Sequence, residues 1–167
     1  MNADLPRSSG ARGRGERALV NRQRAVPVRP RPLAAFLSKA CDMVLPQEAG
    51  VAVCLVTDAE IARMNRAYRG KTGPTDVLSF PSNGQSGPKS AARHAGVPEN
   101  SAFHLGDIAI SPATARRNAH LLGRTVQQEL RVLILHGVLH LAGYDHETDH
   151  GQMERYERRL RRRLRIA

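Results

Sequence analysis

The chain has 167 residues, enough for one domain with a hydrophobic core, and a net charge of +11 that favours polyanionic partners. Its two cysteines, Cys41 and Cys54, form neither a C-x-x-C pair nor a disulfide framework, which argues against a cysteine metal site and a disulfide-rich secreted protein. No apolar run approaches the ~20 residues of a membrane span, and no apolar leader is present, so we expect a cytoplasmic protein without a membrane partner.

The N-terminal third is predicted to change from a tail to a folded domain. Residues 1–25 are rich in Arg, Gly and Ser without apolar periodicity, and we predict that they are disordered. Residues 26–29 have the composition of a short edge strand. Apolar residues then recur at helical spacing over residues 32–45, and the β-rich run at residues 51–56 predicts a buried strand.

The middle of the chain alternates a helix with two strands. Thr57 is the predicted N-cap of the helix, because Glu60 three residues later completes a capping box. Residues 77–80 and 105–110 are predicted strands that form an antiparallel pair. Residues 82–103, rich in Ser, Gly, Pro and Ala, are predicted to be a flexible insertion between them.

The last third is predicted to be helical. Ser111, followed by proline, caps one helix, and residues 152–164 form the last. Between them, residues 125–141 are apolar nearly all round, which is typical of a buried central helix. Taken together, the elements predict an α+β fold, with a small mixed sheet and about five helices, in a single domain over residues 26–167.

Three histidines in residues 135–150 are spaced for one metal ion. His136 and His140 lie about one turn apart on the central helix and share a face. His146 would point elsewhere if the helix continued, but Gly143 can take the left-handed conformation that ends a helix and reverses the chain. We therefore predict that the three imidazoles bind one zinc ion and leave one coordination position open, as catalytic zinc sites do.

The basic excess is confined to the two ends of the chain. Residues 1–32 hold eight arginines and two acidic residues (+6), residues 151–167 hold seven and two (+5), and residues 33–150 hold eleven basic and eleven acidic side chains. Such ends attract nucleic acid first and anionic membrane second. The alternative is that the basic tail and the basic helix face are only solvated and bind no partner. We favour nucleic-acid binding, in which the basic ends hold the phosphates on either side of the phosphate that reacts.

The histidine spacing matches the metzincin proteases, H-E-x-x-H-x-x-G-x-x-H, but Gly137 stands where those enzymes have their glutamate base. Hydrolysis of a phosphodiester requires different groups from hydrolysis of a peptide. Zinc lowers the pKa of a bound water to about 7, and a guanidinium is suited to stabilise charge on the phosphoryl oxygens. Arg69, in the loop Y-R-G-K-T-G-P-T-D, is the candidate, with an ordinary solvated arginine as an equal alternative on spacing alone.

Three blocks of sequence carry a family signature: H-G-V-L-H-L-A-G-Y-D-H at residues 136–146, Asn65-x-x-Tyr68-Arg69-Gly70-Lys71 with P-T-D-V-L-S-F-P at residues 74–81, and L-G-D-I-A-I at residues 105–110. Together they resemble the YbeY family of metal-dependent endoribonucleases, the rRNA maturation factors, over roughly residues 26–165.

The resemblance implies a small α+β domain with one zinc held by His136, His140 and His146, and Arg69 as the functional arginine of its loop. It implies cleavage of single-stranded RNA in 16S-type rRNA 3′-end maturation, ribosome assembly and rRNA quality control. The implied partners are rRNA, the small ribosomal subunit and assembly factors, with no small-molecule substrate. The Arg-rich tail, the insertion and the strongly basic last helix depart from the family pattern and bear on how RNA docks.

Two other functions are open at this point. One is a metalloprotease of metzincin type, against which Gly137 argues. The other is an RNA-binding assembly factor whose metal is structural, which requires a fourth protein ligand. Asp149 and His150 lie close enough in the sequence to supply that ligand, although solvation is the simpler expectation.

Overall fold

The computed structural model describes residues 13–82, 102–145 and 149–166. The four strands form one mixed sheet in the order β1-β2-β4-β3, in which β1, β2 and β4 are parallel and β3 is antiparallel to β4. The elements in chain order are β1 (Arg17–Asn21), α1 (Pro30–Val44), β2 (Ala49–Leu55), α2 (Asp58–Arg69), β3 (Val77–Pro81), β4 (Phe103–Ile110), α3 (Pro112–Leu121), α4 (Val126–Leu141) and α5 (Gln152–Leu164). The predicted α+β fold with a mixed sheet and five helices is confirmed.

The main hydrophobic core lies between one face of the sheet and the helices α1 and α4. Alternate residues of β2 enter it, because side chains along a strand point to opposite faces: Val51, Val53 and Leu55 are buried there. Helix α4 is buried over most of its surface, as its apolar composition predicted, and packs against α1, α3, α5 and strands β3 and β4. It is the central element of the fold.

A smaller core on the opposite face of the sheet places α2 beside β3. Ile61 of α2 is fully buried there with Val56, Leu78 of β3 and Ala109 of β4. This contact carries the C-terminal end of α2 towards β3 and thereby positions the residues at that end.

The predicted helix boundaries follow from local hydrogen bonds. The Thr57 backbone N–H donates to the Glu60 carboxylate at 2.9 Å, and the Thr57 hydroxyl accepts from the Glu60 N–H at 3.2 Å, so the predicted capping box is present. Ser111 caps α3 in the predicted way, accepting from the Thr114 N–H at 3.2 Å. Gly143 follows α4 with φ of 96°, the left-handed conformation expected for the chain reversal.

The N-terminal segment differs from its prediction. Arg17–Asn21 forms strand β1 and pairs in parallel with β2, so the prediction of disorder through residue 25 is wrong there, and the domain begins before residue 26. Residues 26–29 are not a strand: the Gln23 side chain bonds both the N–H and the carbonyl of Val26 and holds a bend there. Residues 1–12 lie outside the described residues.

The contacts of Arg17 explain why an arginine-rich composition wrongly predicted disorder in this segment. Its side chain is only 4% exposed and donates to the carbonyl of Gly15 at 2.6 Å and to that of Gln47 at 3.3 Å. An arginine that suggested a solvated tail therefore ties β1 to the loop between α1 and β2.

The insertion between β3 and β4 is shorter than predicted at both ends. Strand β4 begins at Phe103, inside the predicted span, and Ser82 donates from its backbone to Leu105 at 2.9 Å and from its hydroxyl to His104 at 2.7 Å. Residues 83–101 lie outside the described residues. Among the helices that are described, none is long and apolar enough to cross a membrane.

Candidate active site

A cavity of about 460 Å³ lies where the end of α2, strand β3 and the C-terminal half of α4 meet. It brings Arg69 together with His136 and His140, which are far apart in the sequence and were proposed as site residues on separate grounds. The remaining wall is formed by Tyr68, residues 75–81 and Asp145.

Arg69 is held at the cavity by the end of its helix and the loop beyond it. It is the last residue of α2. Asn65, buried on the same helix, donates its side-chain amide to the carbonyl of Gly73 at 3.0 Å. This bond ties the following loop back to α2, so the arginine leaves the helix at a defined point on the cavity wall.

The two histidines direct their outer ring nitrogens at each other. Nε2 of His136 and Nε2 of His140 are 3.0 Å apart, and the rings meet edge to face with centroids separated by 4.6 Å. Their spacing of one helical turn puts both rings on the side of α4 that faces the cavity.

Glu157 of α5 holds the inner nitrogen of His136. Its Oε2 lies 3.0 Å from His136 Nδ1, and its other oxygen accepts a hydrogen bond from Arg161. Burial opposes ionisation of this carboxyl, but the hydrogen bond and charge of His136, with those of Arg161, outweigh it and hold the pKa of Glu157 below its ordinary value. The ionised carboxylate keeps a proton on Nδ1, so in the neutral form of the ring it is Nε2 that presents its lone pair.

Glu157 was not identified as a site residue from the sequence, although a signal was present. It lies four residues after Met153 and three before Leu160, on the buried face of α5. A carboxylate on the apolar face of an amphipathic helix needs a buried partner. The partner, His136, is 21 residues away and is supplied by the contact between α4 and α5.

The histidine pair fits a zinc ion as far as the described residues go. Two imidazole ligands on a tetrahedral zinc at 2.0–2.1 Å have nitrogens about 3.3 Å apart, close to the separation found here. A carboxylate behind the ligating imidazole is the usual support of such a ligand. His146, the predicted third ligand, lies outside the described residues. Within 13–82, 102–145 and 149–166, no three His, Cys, Asp or Glu side chains are placed to hold a metal.

Asp149 and His150, the candidates for a fourth ligand, are not among the residues that line the cavity. The Asp149 carboxylate accepts from the backbone N–H of Gly151 at 3.0 Å and from that of Met153 at 2.6 Å, at the start of α5. His150 is exposed. These two residues therefore do not supply the fourth protein ligand that a purely structural metal site requires.

Gly137 is required for the approach of α4 to the sheet. A Cβ added there would lie 2.8 Å from two side-chain carbons of Ile108 on β4. The position at which a metzincin has its base is therefore occupied by helix–sheet contact in this fold, and a glutamate there requires the Ile108 side chain or the helix to move.

An exposed aromatic ring stands at the cavity beside Arg69. Tyr68 is 73% exposed, and its ring contacts Phe80 of β3 edge to face at a centroid distance of 5.0 Å. An exposed ring of this kind offers a flat surface for a ligand's own ring.

Comparison with known proteins first gives the class. A protein of Solibacter usitatus named endoribonuclease YbeY is 38% identical over 149 residues, 89% of each chain. One of the same name from Koribacter versatilis is 37% identical over 150 residues, 89% of this chain and 86% of its own. This chain is a nuclease, and hence a hydrolase.

The family follows from two further findings. The sequence model described as endoribonuclease YbeY matches residues 19–165. The solution structure of a Thermotoga maritima protein superposes with a TM-score of 0.51 at 25% identity, covering 89% of this chain and 91% of that one. The chain belongs to the endoribonuclease YbeY family. The resemblance carried by the three sequence blocks is confirmed, and the match begins within β1.

Proposed function

We propose that this protein is a zinc-dependent endoribonuclease that cleaves single-stranded RNA in 16S-type rRNA 3′-end maturation, ribosome assembly and rRNA quality control. The observation that carries the proposal is the cavity itself, where a guanidinium and a carboxylate-supported histidine pair line one space. The ribosomal setting, in the cytoplasm with rRNA, the small subunit and assembly factors as partners, rests on the family resemblance.

One zinc ion per chain is proposed at His136, His140 and His146. A zinc ion held there would supply Lewis acidity and a coordinated water of lowered pKa. The chain's own contribution is to hold the two Nε2 atoms 3.0 Å apart at one point of the cavity wall, through the Glu157 carboxylate on His136 and the turn of helix that separates the two rings.

Arg69 is proposed to stabilise the charge that develops on the phosphoryl oxygens during hydrolysis. Its position on the wall shared with both histidines supports this role, because a guanidinium binds phosphate oxygens through a planar fork of donors. Tyr68 on the same wall is 73% exposed, so a ligand can reach the cavity wall from solvent on that side.

Specificity for single strands is proposed to involve Tyr68. Base stacking on an exposed aromatic ring contributes about 1–3 kcal/mol per base, and the base must be unstacked from its own helix to use it. With Arg69 as its neighbour in the chain, Tyr68 is placed to hold a base next to the phosphate that Arg69 contacts.

The metal assignment is tested by metal analysis and RNA cleavage on one preparation scrubbed of contaminating RNases. Wild type is expected to carry one zinc per chain, and His136→Ala and His140→Ala to lose both zinc and cleavage. His104→Ala is the matched control, because His104 is exposed on β4 and does not line the cavity. Retention of one zinc per chain by either cavity variant would overturn the site.

The role of Arg69 is tested in the same assay. Arg69→Glu is expected to keep its zinc and to lose RNA cleavage by at least ~100-fold, the usual effect of removing a donor that stabilises developing charge. Arg66→Glu makes the same charge change on the same helix outside the cavity lining and is expected to remain active. Equal activity of the two variants would remove Arg69 from the mechanism.

A further inference from the structure

Helix α5 has two exposed sides that differ in how their charge is compensated. Its buried side is formed by Met153, Glu157, Leu160 and Leu164. At 100° per residue, the remaining positions fall on either flank of that apolar stripe. The seven arginines of residues 151–167 are therefore not one uniform basic surface.

One flank, which we call the paired side, consists of Glu154, Arg158 and Arg161. Arg158 contacts Glu154 at 2.6 Å one turn away, and Arg161 contacts the buried Glu157. Each guanidinium here has a carboxylate neighbour, so this flank attracts anions weakly.

The other side carries five residues, Arg155, Tyr156, Arg159, Arg162 and Arg163. We call the first four of them, which line one groove, the arginine face. These residues line a shallow groove of about 350 Å³ together with Gln152. The Arg159 guanidinium lies over the Tyr156 ring, 5.0 Å from its centroid. Arg155 donates to the His150 carbonyl at 3.4 Å, but within the described ranges none of the three arginines of this face has a carboxylate within ion-pair distance.

A pair of tyrosine rings connects the arginine face to the neighbourhood of the cavity. The Tyr156 ring lies 5.3 Å from that of Tyr144, and Tyr144 precedes Asp145, which lines the cavity. The next residue of α5, Glu157, contacts His136. The arginine face therefore lies near the side of the cavity that Asp145 lines.

Three of the N-terminal arginines already have partners within the fold. Arg14 contacts Asp42 at 2.7 Å, Arg17 is buried, and Arg22 lies 3.7 Å from Glu60. The charge of these three arginines is compensated within the fold, whereas the arginine face has no carboxylate partner among the described residues.

We propose that the arginine face of α5 binds the phosphate backbone of the RNA strand where it leaves the cavity. The occupant follows from charge complementarity: a row of uncompensated guanidinium groups beside a ring matches a flexible polyanion that carries bases. The inference rests on the proposed RNA-cleaving function and adds to it the surface that holds the flanking phosphates.

The test compares two double variants with the same change in net charge. Arg159→Gln with Arg162→Gln alters the arginine face; Arg158→Gln with Arg165→Gln alters exposed arginines elsewhere on the same helical end. Binding of a 2′-O-methyl RNA oligonucleotide is measured by fluorescence anisotropy across a salt series. Because this probe resists cleavage, binding is measured independently of catalysis.

The arginine-face variant is expected to bind the probe several-fold more weakly. Its slope of log K against log salt should be shallower by about 1.4, at ~0.7 for each phosphate of a single strand that the protein no longer neutralises. The control variant should change the slope by less than half as much. Equal slopes in the two variants would mean that only net charge matters and would overturn the proposal.

Binding to vesicles rich in anionic lipid is measured as well, to test whether the arginine face binds membranes and not RNA. Loss of vesicle binding in the arginine-face variant with unchanged RNA binding would assign the surface to membranes and overturn the proposal. A wild-type chain that binds the probe as expected but cleaves no RNA would contradict the proposed function alone, and the arginine face would stand as an RNA-binding surface.

Discussion

At the residue scale, the carboxylate of Glu157 contacts the imidazole of His136 and the guanidinium of Arg161 from within the protein. These contacts orient the His136 ring, since the protonated nitrogen is held on the side away from the cavity. A neutral amide in place of the carboxylate retains a hydrogen-bond acceptor but loses the negative charge that strengthens the imidazole as a ligand.

We therefore expect Glu157→Gln to lower zinc affinity by roughly 10- to 100-fold, the typical cost of losing the group behind a ligating histidine. The measurement is competition against a chromogenic chelator. Glu154→Gln is the control, because Glu154 lies on the same helix, is exposed and pairs only with Arg158 in the described structure. If both variants keep wild-type affinity, Glu157 supports the fold and not the metal.

At the element scale, the close approach of α4 to β4 decides the position of both histidines. Gly137 is the residue of α4 that faces Ile108 of β4. The Ser79 hydroxyl of β3 donates to the Gly137 carbonyl at 3.5 Å. Widening this contact would displace the turn of α4 that carries His136 and His140 away from Arg69.

Gly137→Ala brings two effects into opposition. Alanine favours the helix by about 1 kcal/mol over glycine, whereas an extra methyl in a filled core costs about 1–3 kcal/mol. Because the added Cβ would lie 2.8 Å from Ile108, we expect the second effect to dominate and the free energy of unfolding to fall by roughly 1–2 kcal/mol in urea titrations. A stabilised variant would show that the helix shifts at no cost.

At the scale of the whole molecule, Asp58 joins the start of α2 to the start of α3. Its carboxylate accepts from the hydroxyls of Ser111 and Thr114, the latter at 2.8 Å, and from Arg117 at 2.8 Å. Burial opposes its ionisation, but these hydrogen bonds and the Arg117 charge hold the pKa of Asp58 below its ordinary value. A depressed carboxyl pKa stabilises the fold above the unfolded value of about 3.9 and ceases to do so as pH falls through the folded value.

Asp58→Asn is expected to lower the free energy of unfolding at neutral pH by about 1–2 kcal/mol, in the lower range for charged hydrogen bonds because the carboxylate is one-third exposed. The difference from wild type should shrink as pH falls below about 3.9, because wild-type Asp58 then takes up a proton and loses the charge that the asparagine variant never carries. Urea unfolding across pH measures this. Asp107→Asn, an exposed carboxyl on β4, should show little effect, and a pH-independent deficit for Asp58→Asn would contradict the linkage.

Much of the fold was predictable because its signals are local. The capping box at Thr57, the N-cap at Ser111 and the left-handed Gly143 each depend on residues within one or two turns, and all three are present. Strand β1 was missed because its pairing partner is β2, which contacts it only after α1 has crossed over. The apolar run Ala18-Leu19-Val20 within β1 is too short to predict a strand without its partner.

The sequence by itself determined that His136 and His140 share one face of a buried helix, since helical periodicity is a property of spacing. Only the tertiary structure decided that Arg69 lines the same cavity, that Glu157 supports His136, and that Gly137 is needed against Ile108. It also separated the arginines of α5 into a paired side and an uncompensated face. Each of these depends on contacts between elements distant in the chain, which spacing along the sequence does not encode.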